Sequence, residues 1–377
     1  MNIVAVTDDR YAQHLGVMIT SLLENASTPD RVVIYVLTGG LASDNEKKLN
    51  EITNRYRANL KILTLDATLF ESFGTRNRMS HAAYYKLAIP LIVPEEVDKV
   101  IFLDCDLIIK EDIRYLWDTD VSNVSHAAVE EPFFNRHEQL GFPSSQIGIF
   151  NSGVMVINVA WWRQNCVFER TMAFLQENSH RIVLHDQDAL NAVLYSDWAR
   201  IHPKWNQFAT IVYLRAEEIP GDTEAWETAL RNPGIIHYSS SKPWYFLNDH
   251  PFKREYFQFL QKTPWADFVP LEQEQAITLL NKPTIVVYGT GSSGLRVHRI
   301  LTEHGANISY FVDGDSSKWG MSYCDREVRS PEHLRQEEMG QLAVFVASYS
   351  YYPEMAQNLQ SMGLVEGEHF IAGFGRR

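Results

Sequence analysis

Cysteine is scarce. Cys105, Cys166 and Cys324 are an odd number with no C-x-x-C spacing, which leaves neither a disulfide framework nor a cysteine-built zinc site. No stretch approaches the roughly 18–20 unbroken apolar residues that a membrane helix needs. A transmembrane segment is therefore not expected, while peripheral contact with a membrane stays open. Basic residues are outnumbered, with 34 Lys and Arg against 47 Asp and Glu and a net charge of −13. A nucleic-acid binder draws affinity from neutralising phosphates, so this sign argues against nucleic acid as the main partner. The opening Met-Asn-Ile-Val-Ala-Val-Thr-Asp-Asp lacks the basic start of a signal peptide and soon meets two carboxylates. It is expected to form a first strand, in a reduced, cytoplasmic setting that extends to the inner face of the membrane. No repeat or low-complexity tract is present.

What remains is an ordinary globular composition, 45% hydrophobic and 21% charged over 377 residues, long enough for two domains. The first half alternates strand-like and helical patterns. Strands are expected at 3–6, 31–37, 60–65 and 100–103, with helices at 11–25, from Ser43 with Glu46 as a capping box, and at 80–89, stopping before Pro90. Such alternation implies an α/β fold with a mostly parallel central sheet, whose ligands sit beyond the carboxyl ends of the strands. Asp8-Asp9 and Asp104-Cys105-Asp106 both lie at such ends. Further on, 148–159 reads as a strand, 161–177 as one helix and His185 as the start of another. Residues 201–250 read as loops. A domain boundary is expected at about 270–282. It separates residues 1–270 from a smaller α/β unit at 282–377.

Asp104 and Asp106 are spaced i, i+2, so in an extended segment both carboxylates project from one side. Two hard anionic oxygens placed together suit a divalent cation; the alternative is a turn with two solvated aspartates. His237 ends the apolar run Ile235-Ile236-His237-Tyr238, where a hydrogen-bonded core imidazole is the plainer interpretation. Lys242-Pro243-Trp244 follows, and an ammonium there can neutralise phosphate. Two acids, an imidazole and a lysine are the parts for holding a metal diphosphate.

Five ordered motifs carry a resemblance: Val6-Thr7-Asp8-Asp9 with Tyr11, Tyr85-Lys86-Leu87, Phe102-Leu103-Asp104-Cys105-Asp106, Phe150-Asn151-Ser152-Gly153-Val154, and Asp186-Gln187-Asp188-x-x-Asn191. His237-Tyr238 with Lys242-Pro243-Trp244 closes the set. From Met1 to about Tyr256 the chain resembles glycosyltransferase family eight, retaining UDP-sugar transferases that include glycogenin and lipopolysaccharide galactosyl- and glucosyltransferases. The resemblance implies an A-type nucleotide-diphosphate-sugar fold. It assigns Thr7, Asp8 and Tyr11 to the uracil end of the donor. Asp104, Asp106 and His237 are assigned to Mn²⁺, with Mg²⁺ as the alternative, and Lys242 to the phosphates. Lys86, Asn151 and Ser152 fall to the donor, as does Cys105 of the aspartate motif. Asp186 and Gln187 fall to the reacting sugar, Gln187 nearest the anomeric carbon. The donor implied is UDP-glucose or UDP-galactose and the acceptor a glycan or glycoprotein, with a bacterial surface glycan among the candidates. Two departures stand out: Lys86 replaces the usual Arg, and the stretch from His237 to Lys242 lacks the usual Gly. Asp9 and Asp188 read equally well as ligand contacts or as structural carboxylates.

The second unit carries Gly289-x-Gly291-x-x-Gly294 after a strand, with Asp313 ending the next strand. Glycines permit close approach of phosphate and an acid binds ribose, so these four form a candidate nucleotide site on a Rossmann-like domain. The alternative is that the glycines serve only the turn and helix packing. Two other functions are set against a transferase: a catalytically silent nucleotide-sugar sensor, and an NAD-dependent oxidoreductase acting through residues 282–377.

Overall fold

The computed structural model describes residues 1–66, 82–133, 136–142, 148–208 and 211–375. They fall into two compact units, Met1–Ser239 with Glu255–Ala266, and Ser240–Arg254 with Asp267–Arg377.

The described strands of the first unit are β1 (Asn2–Val6), β2 (Val33–Thr38), β3 (Asn59–Thr64), β4 (Lys99–Leu103), β5 (Leu107–Ile109), β6 (His126–Glu130), β7 (Phe150–Asn158), β8 (Trp198–Arg200), β9 (Gln207–Phe208) and β10 (Ile235–His237). Seven form one sheet in the order β3-β2-β1-β4-β7-β6-β8, and β5-β10-β9 form a second. The large sheet is parallel except where β7 runs against β4 and β6. Its central strands β1, β2 and β4 are apolar at nearly every position because both faces are covered. Ile3, Ala5, Ile101, Leu103, Val154 and Val156 enter one core with Leu15, Met18, Ile19 and Leu22 of helix Ala12–Asn25. Their neighbours Val4, Val100, Phe102, Met155 and Ile157 enter the opposite core with Trp162, Val167, Leu175 and Leu190.

Several local expectations are corrected. No Ser43 capping box forms: Ala42 is the N-cap of helix Ser43–Arg55, and no side chain caps it. Asp9 fastens that helix start instead, accepting from Ala42 N at 2.7 Å and Asn45 Nδ2 at 2.9 Å. Those bonds hold its carboxyl below the usual range. The expected helix at 80–89 begins at Ser80 and His81, outside the described residues. Beyond them the chain stays helical through Ile89–Ile92, since Pro90 sits in a first turn where no N–H is needed. The single helix expected at 161–177 is two, Val159–Gln164 and Val167–Glu177, because Cys166 turns left-handed at φ 49°. Within the expected loops of 201–250 lies helix Thr223–Arg231, whose N-cap Asp222 accepts from Glu224 N and Ala225 N.

The second unit has β11 (Thr284–Tyr288), β12 (Ile308–Val312), β13 (Ser322–Tyr323), β14 (Arg326–Arg329), β15 (Leu342–Val346) and β16 (Phe370–Ala372), in the order β13-β14-β12-β11-β15-β16. All neighbours are parallel except the β13–β14 hairpin. The parallel strands thus run outward in both directions from β11, as in a Rossmann-like sheet. Ser240–Arg254 joins this unit: Leu247 is buried in its core, and Asp249 pairs with Arg296 and Arg299.

Gly289 adopts φ 114° at the end of β11, a conformation that favours glycine. A Cβ on Gly294 would stand 2.3 Å from Gly289 O, so helix Ser292–Glu303 starts hard against the preceding turn. Gly294→Ala is expected to destabilise this unit by about 1–3 kcal/mol. Denaturant unfolding followed at this unit would check it, and an unchanged midpoint would count against the close packing.

Candidate active site

β1 and β4 run side by side and end together, which places Thr7 and Asp8 beside Asp104 at the sheet's carboxyl edge. Asp104 N donates to Gly153 O at 2.9 Å and fastens this edge to β7. Beyond Asp106, β5 turns away and pairs antiparallel with β10, which sets His237 opposite Leu107. Tyr238 N donates to Asp106 O at 2.9 Å and completes the register. A residue far along the chain is thereby delivered to the aspartate motif. His237 Nε2 lies 3.4 Å from Asp106 Oδ1 and 3.7 Å from Asp104 Oδ2. One donor atom from each of the three residues lies within 4.8 Å of the others, a set able to hold a metal ion. The backbone is shaped to allow it: a Cβ on Gly153 would sit 2.3 Å from His237 Cε1 and 2.8 Å from Asp104 Oδ2.

Lys86 is buried beside this cluster. Its Nζ reaches Asp186 Oδ2 at 2.9 Å, Asp104 Oδ1 at 3.3 Å and Ser152 O at 3.3 Å, and lies 4.5 Å from the Phe102 ring centroid. Burial alone would pull the ammonium down; the Asp104 and Asp186 carboxylates outweigh it and push the pKa up to about 12. For Asp104 the balance is reversed. Burial, with Asp106 and Asp186 nearby, lifts its carboxyl above the usual range in spite of Lys86 and His237. Three acids and one lysine leave surplus negative charge, as a cation site requires.

Next to Lys86, Ser152 Oγ donates to Asp186 Oδ2 at 3.0 Å, and Ser152 N donates to Gln187 Oε1 at 3.0 Å. Gln187 Nε2 donates to Glu131 Oε2 at 3.3 Å, and Asn151 Nδ2 donates to the same oxygen at 3.2 Å. Glu131 is buried, and burial raises its carboxyl despite these two donors. Asp186, Gln187, Lys86, Asn151 and Ser152, singled out in the sequence, are thus brought together. Glu131 was missed. It follows another acid at the end of β6, where the sequence does not distinguish it from a surface carboxylate.

The other expected residues divide. Thr7 is buried, with Oγ1 donating to Asp8 O at 3.1 Å, and Asp8 Oδ1 accepts from Arg10 N and Tyr11 N. Tyr11 is partly exposed and packs edge-on to His14 at 5.2 Å. The Cys105 thiol donates to Val6 O at 2.7 Å inside the sheet edge, and burial pushes its pKa well up. Asp188 is structural: its Oδ2 accepts from Arg136 Nη1, Val183 N and Leu184 N at 2.7–2.9 Å. Lys242 lies in the second unit, with Nζ 5.6 Å from the Trp244 ring centroid.

In the second unit Gly289, Gly291, Gly294 and Asp313 do converge, but the acid is turned onto the loop. Asp313 Oδ2 accepts from Thr290 N, Thr290 Oγ1 and Lys318 Nζ at 2.5–3.1 Å. Burial would raise this carboxyl; bonds from Thr290, Asp315 N and Lys318 hold it below the usual range. Tyr323 OH donates to Gly291 O at 2.8 Å. The fingerprint is thereby knitted to itself.

Comparison with known proteins is consistent with the geometry. The family model described as glycosyl transferase family 8 matches residues 2–247. The chain belongs to that family. General stress protein A of Bacillus subtilis is 37% identical over 70% of this chain and 94% of its own length. The lipopolysaccharide 1,3-galactosyltransferase of Salmonella typhimurium is 24% identical over 70% of this chain and 79% of its own. Among solved structures, the galactosyltransferase LgtC in complex with donor and acceptor sugar analogs superposes with a TM-score of 0.64. It is 22% identical and spans 73% of this chain and 99% of LgtC. The glycosyltransferase GlyE of Streptococcus pneumoniae spans 98% of this chain and 91% of its own, at 16% identity and a TM-score of 0.52. The first unit therefore has the A-type glycosyltransferase fold. Family 8 membership makes the chain a glycosyltransferase, which binds a nucleotide-sugar donor and a glycan acceptor, and it does not favour the sensor or the oxidoreductase. Among the described residues no helix is long and apolar enough to cross a membrane.

Proposed function

We propose that the protein is a retaining hexosyltransferase that moves glucose or galactose from a UDP-sugar to a glycan or glycoprotein acceptor, with Mn²⁺ as its cofactor. The observation that carries this reading is the meeting of Asp104, Asp106 and His237 at the ligand edge of the sheet, beside the Lys86–Asp186–Gln187 cluster. The relatives that act on galactose, and the sugar analogs bound to LgtC, support it. A mixed oxygen and imidazole donor set suits Mn²⁺ better than Mg²⁺. When bound, the cation supplies charge neutralisation for a departing diphosphate.

The chain's own groups do the rest. Thr7 and Asp8 receive the uracil, whose N–H the Asp8 carboxylate accepts. Lys86 neutralises Asp186 and keeps its carboxylate pointed inward. Gln187, held at one end by Ser152 N and at the other by Glu131, presents a fixed dipole to a sugar that gains positive charge as its bond to phosphate breaks. Gln187 Oε1 already accepts a hydrogen bond, and Asp186 is ion-paired; both are thereby weakened as nucleophiles. Attack by the acceptor hydroxyl on the leaving-group face fits these residues better than a covalent intermediate. In that step the new C–O bond forms as the anomeric carbon–phosphate oxygen bond breaks, and the hydroxyl proton passes to the departing oxygen.

A donor screen that detects released UDP, run with Mn²⁺ and with EDTA, tests the proposal. UDP release from UDP-glucose or UDP-galactose that ceases in EDTA is expected. No release from any UDP-sugar, or a rate untouched by EDTA, would overturn it.

A further inference from the structure

Behind His237 stands a chain of amides whose direction is fixed at its far end. Gly153 N, a backbone donor that cannot be reversed, donates to Asn151 Oδ1 at 3.0 Å. The other end of the Asn151 amide faces Glu131 Oε2 at 3.2 Å, so its NH₂ group lies there. The Asn206 atom 2.9 Å from Asn151 Oδ1 must then be the donor Nδ2. Asn206 Oδ1 is left facing His237 Nδ1 at 2.8 Å. Asn206, Asn151 and His237 are all buried. Two acceptors do not face each other at that distance, so Nδ1 carries the ring proton. A neutral imidazole has one N–H and one lone pair. In the neutral ring the lone pair then lies on Nε2, the nitrogen that faces Asp106 Oδ1 at 3.4 Å and Asp104 Oδ2 at 3.7 Å.

We infer that Asn206 is a positioning residue for the cation site, fixing the proton of His237 on Nδ1 and presenting Nε2 as a ligand beside the two carboxylates. This rests on the reading of Asp104, Asp106 and His237 as cation ligands. Asn206 lies just before β9, whose parallel pairing with β10 sets Phe208 opposite His237, so one piece of backbone supplies both the support strand and the acceptor. The arrangement also bears on the cation itself: three electron-pair donors converge with no proton of the ring between them, which is unfavourable until a positive charge arrives. An outer partner that fixes the tautomer of a ligating His is worth roughly 10–100-fold in metal affinity.

The test reads the proton directly. Long-range ¹H–¹⁵N spectra of the metal-free protein in alkaline buffer, with the His237 signal assigned by its loss in His237→Gln, should show the proton on Nδ1. A proton on Nε2, or on both nitrogens, overturns the inference. Mn²⁺ affinity, measured by calorimetry, should fall by about 10–100-fold in Asn206→Ala. Asn206→Asp keeps an acceptor against Nδ1 but sets a second oxygen against Asn151 Oδ1; its spectrum should still show the His237 proton on Nδ1, and a proton on Nε2 there overturns the inference. An alanine variant that binds Mn²⁺ as tightly as wild type overturns the inference. If the alanine variant does not fold, the wild-type spectrum and the aspartate variant decide. A wild-type protein that binds no Mn²⁺ would sink the cation reading, while the spectrum would still report on Asn206.

Discussion

Gly153→Ala should lower turnover by about a thousandfold while the protein stays folded. The added methyl would lie 2.3 Å from His237 Cε1 and 2.8 Å from Asp104 Oδ2, closer than carbon can approach either atom. The ring cannot swing freely aside, because Asn206 holds its Nδ1, and Asp104 is anchored through its backbone to Gly153 O. Two of the three proposed cation ligands must therefore move. A cation acting on a phosphoryl oxygen contributes several kcal/mol to transition-state stabilisation, and about 4 kcal/mol corresponds to three powers of ten in rate. The steric strain itself costs only about 1–3 kcal/mol of stability. Asp106→Ala provides the control for cause: it deletes a ligand without adding bulk, and should show the same loss of turnover and of Mn²⁺ affinity with no loss of melting temperature. Normal Mn²⁺ binding in Gly153→Ala would remove the cation site from the account.

Much of this arrangement is legible in the sequence, for local reasons. An apolar run that stops at Asp104-x-Asp106 gives both the strand and the placement of its acids at the ligand edge. Gln187 and Asp186 open a helix whose start is marked by composition. What the sequence hides is set by distant pairing. His237 looks like any core imidazole until β10 aligns it with Leu107; in the sequence only the nearby Lys242 and the family resemblance point to it. Asn206 and Glu131 carry no local signal at all: one is the first of two amides after a tryptophan, the other the second of two acids at a strand end. Asp188 shows the opposite case. The sequence leaves it open as a ligand contact or a structural carboxylate, and in the structure Arg136 with two backbone N–H groups claims it. The missed helix Thr223–Arg231 is amphipathic, burying Trp226 and Ala229 behind its N-cap Asp222; its nine residues are hidden by the aromatics and prolines around them.

Lys86→Met should be the most destabilising of the substitutions considered, and its effect should depend on pH in a way that identifies the cause. Methionine nearly matches the lysine in length and keeps the contact with the Phe102 ring. What it removes is the ammonium that pairs with both Asp104 and Asp186. Leaving buried carboxylates without their partner costs about 3–5 kcal/mol. For wild type the sign follows from the raised lysine pKa. The stabilisation is fully present below the ordinary value of 10.5 and lost only as pH rises through about 12, so it is constant across neutral pH. In the variant, Asp104, whose carboxyl burial already lifts above the usual range, loses its ammonium partner and can relieve repulsion by taking up a proton. The stability deficit should therefore be largest at neutral pH and shrink as the solution is acidified. Lys86→Arg keeps the charge and supplies the fork that the family usually carries, and should recover most of the stability. Melting temperatures of the three proteins across a pH series, with and without Mn²⁺, make the comparison. A deficit that stays the same in acid would assign Lys86 to packing, and the electrostatic account of the pocket would fail with it.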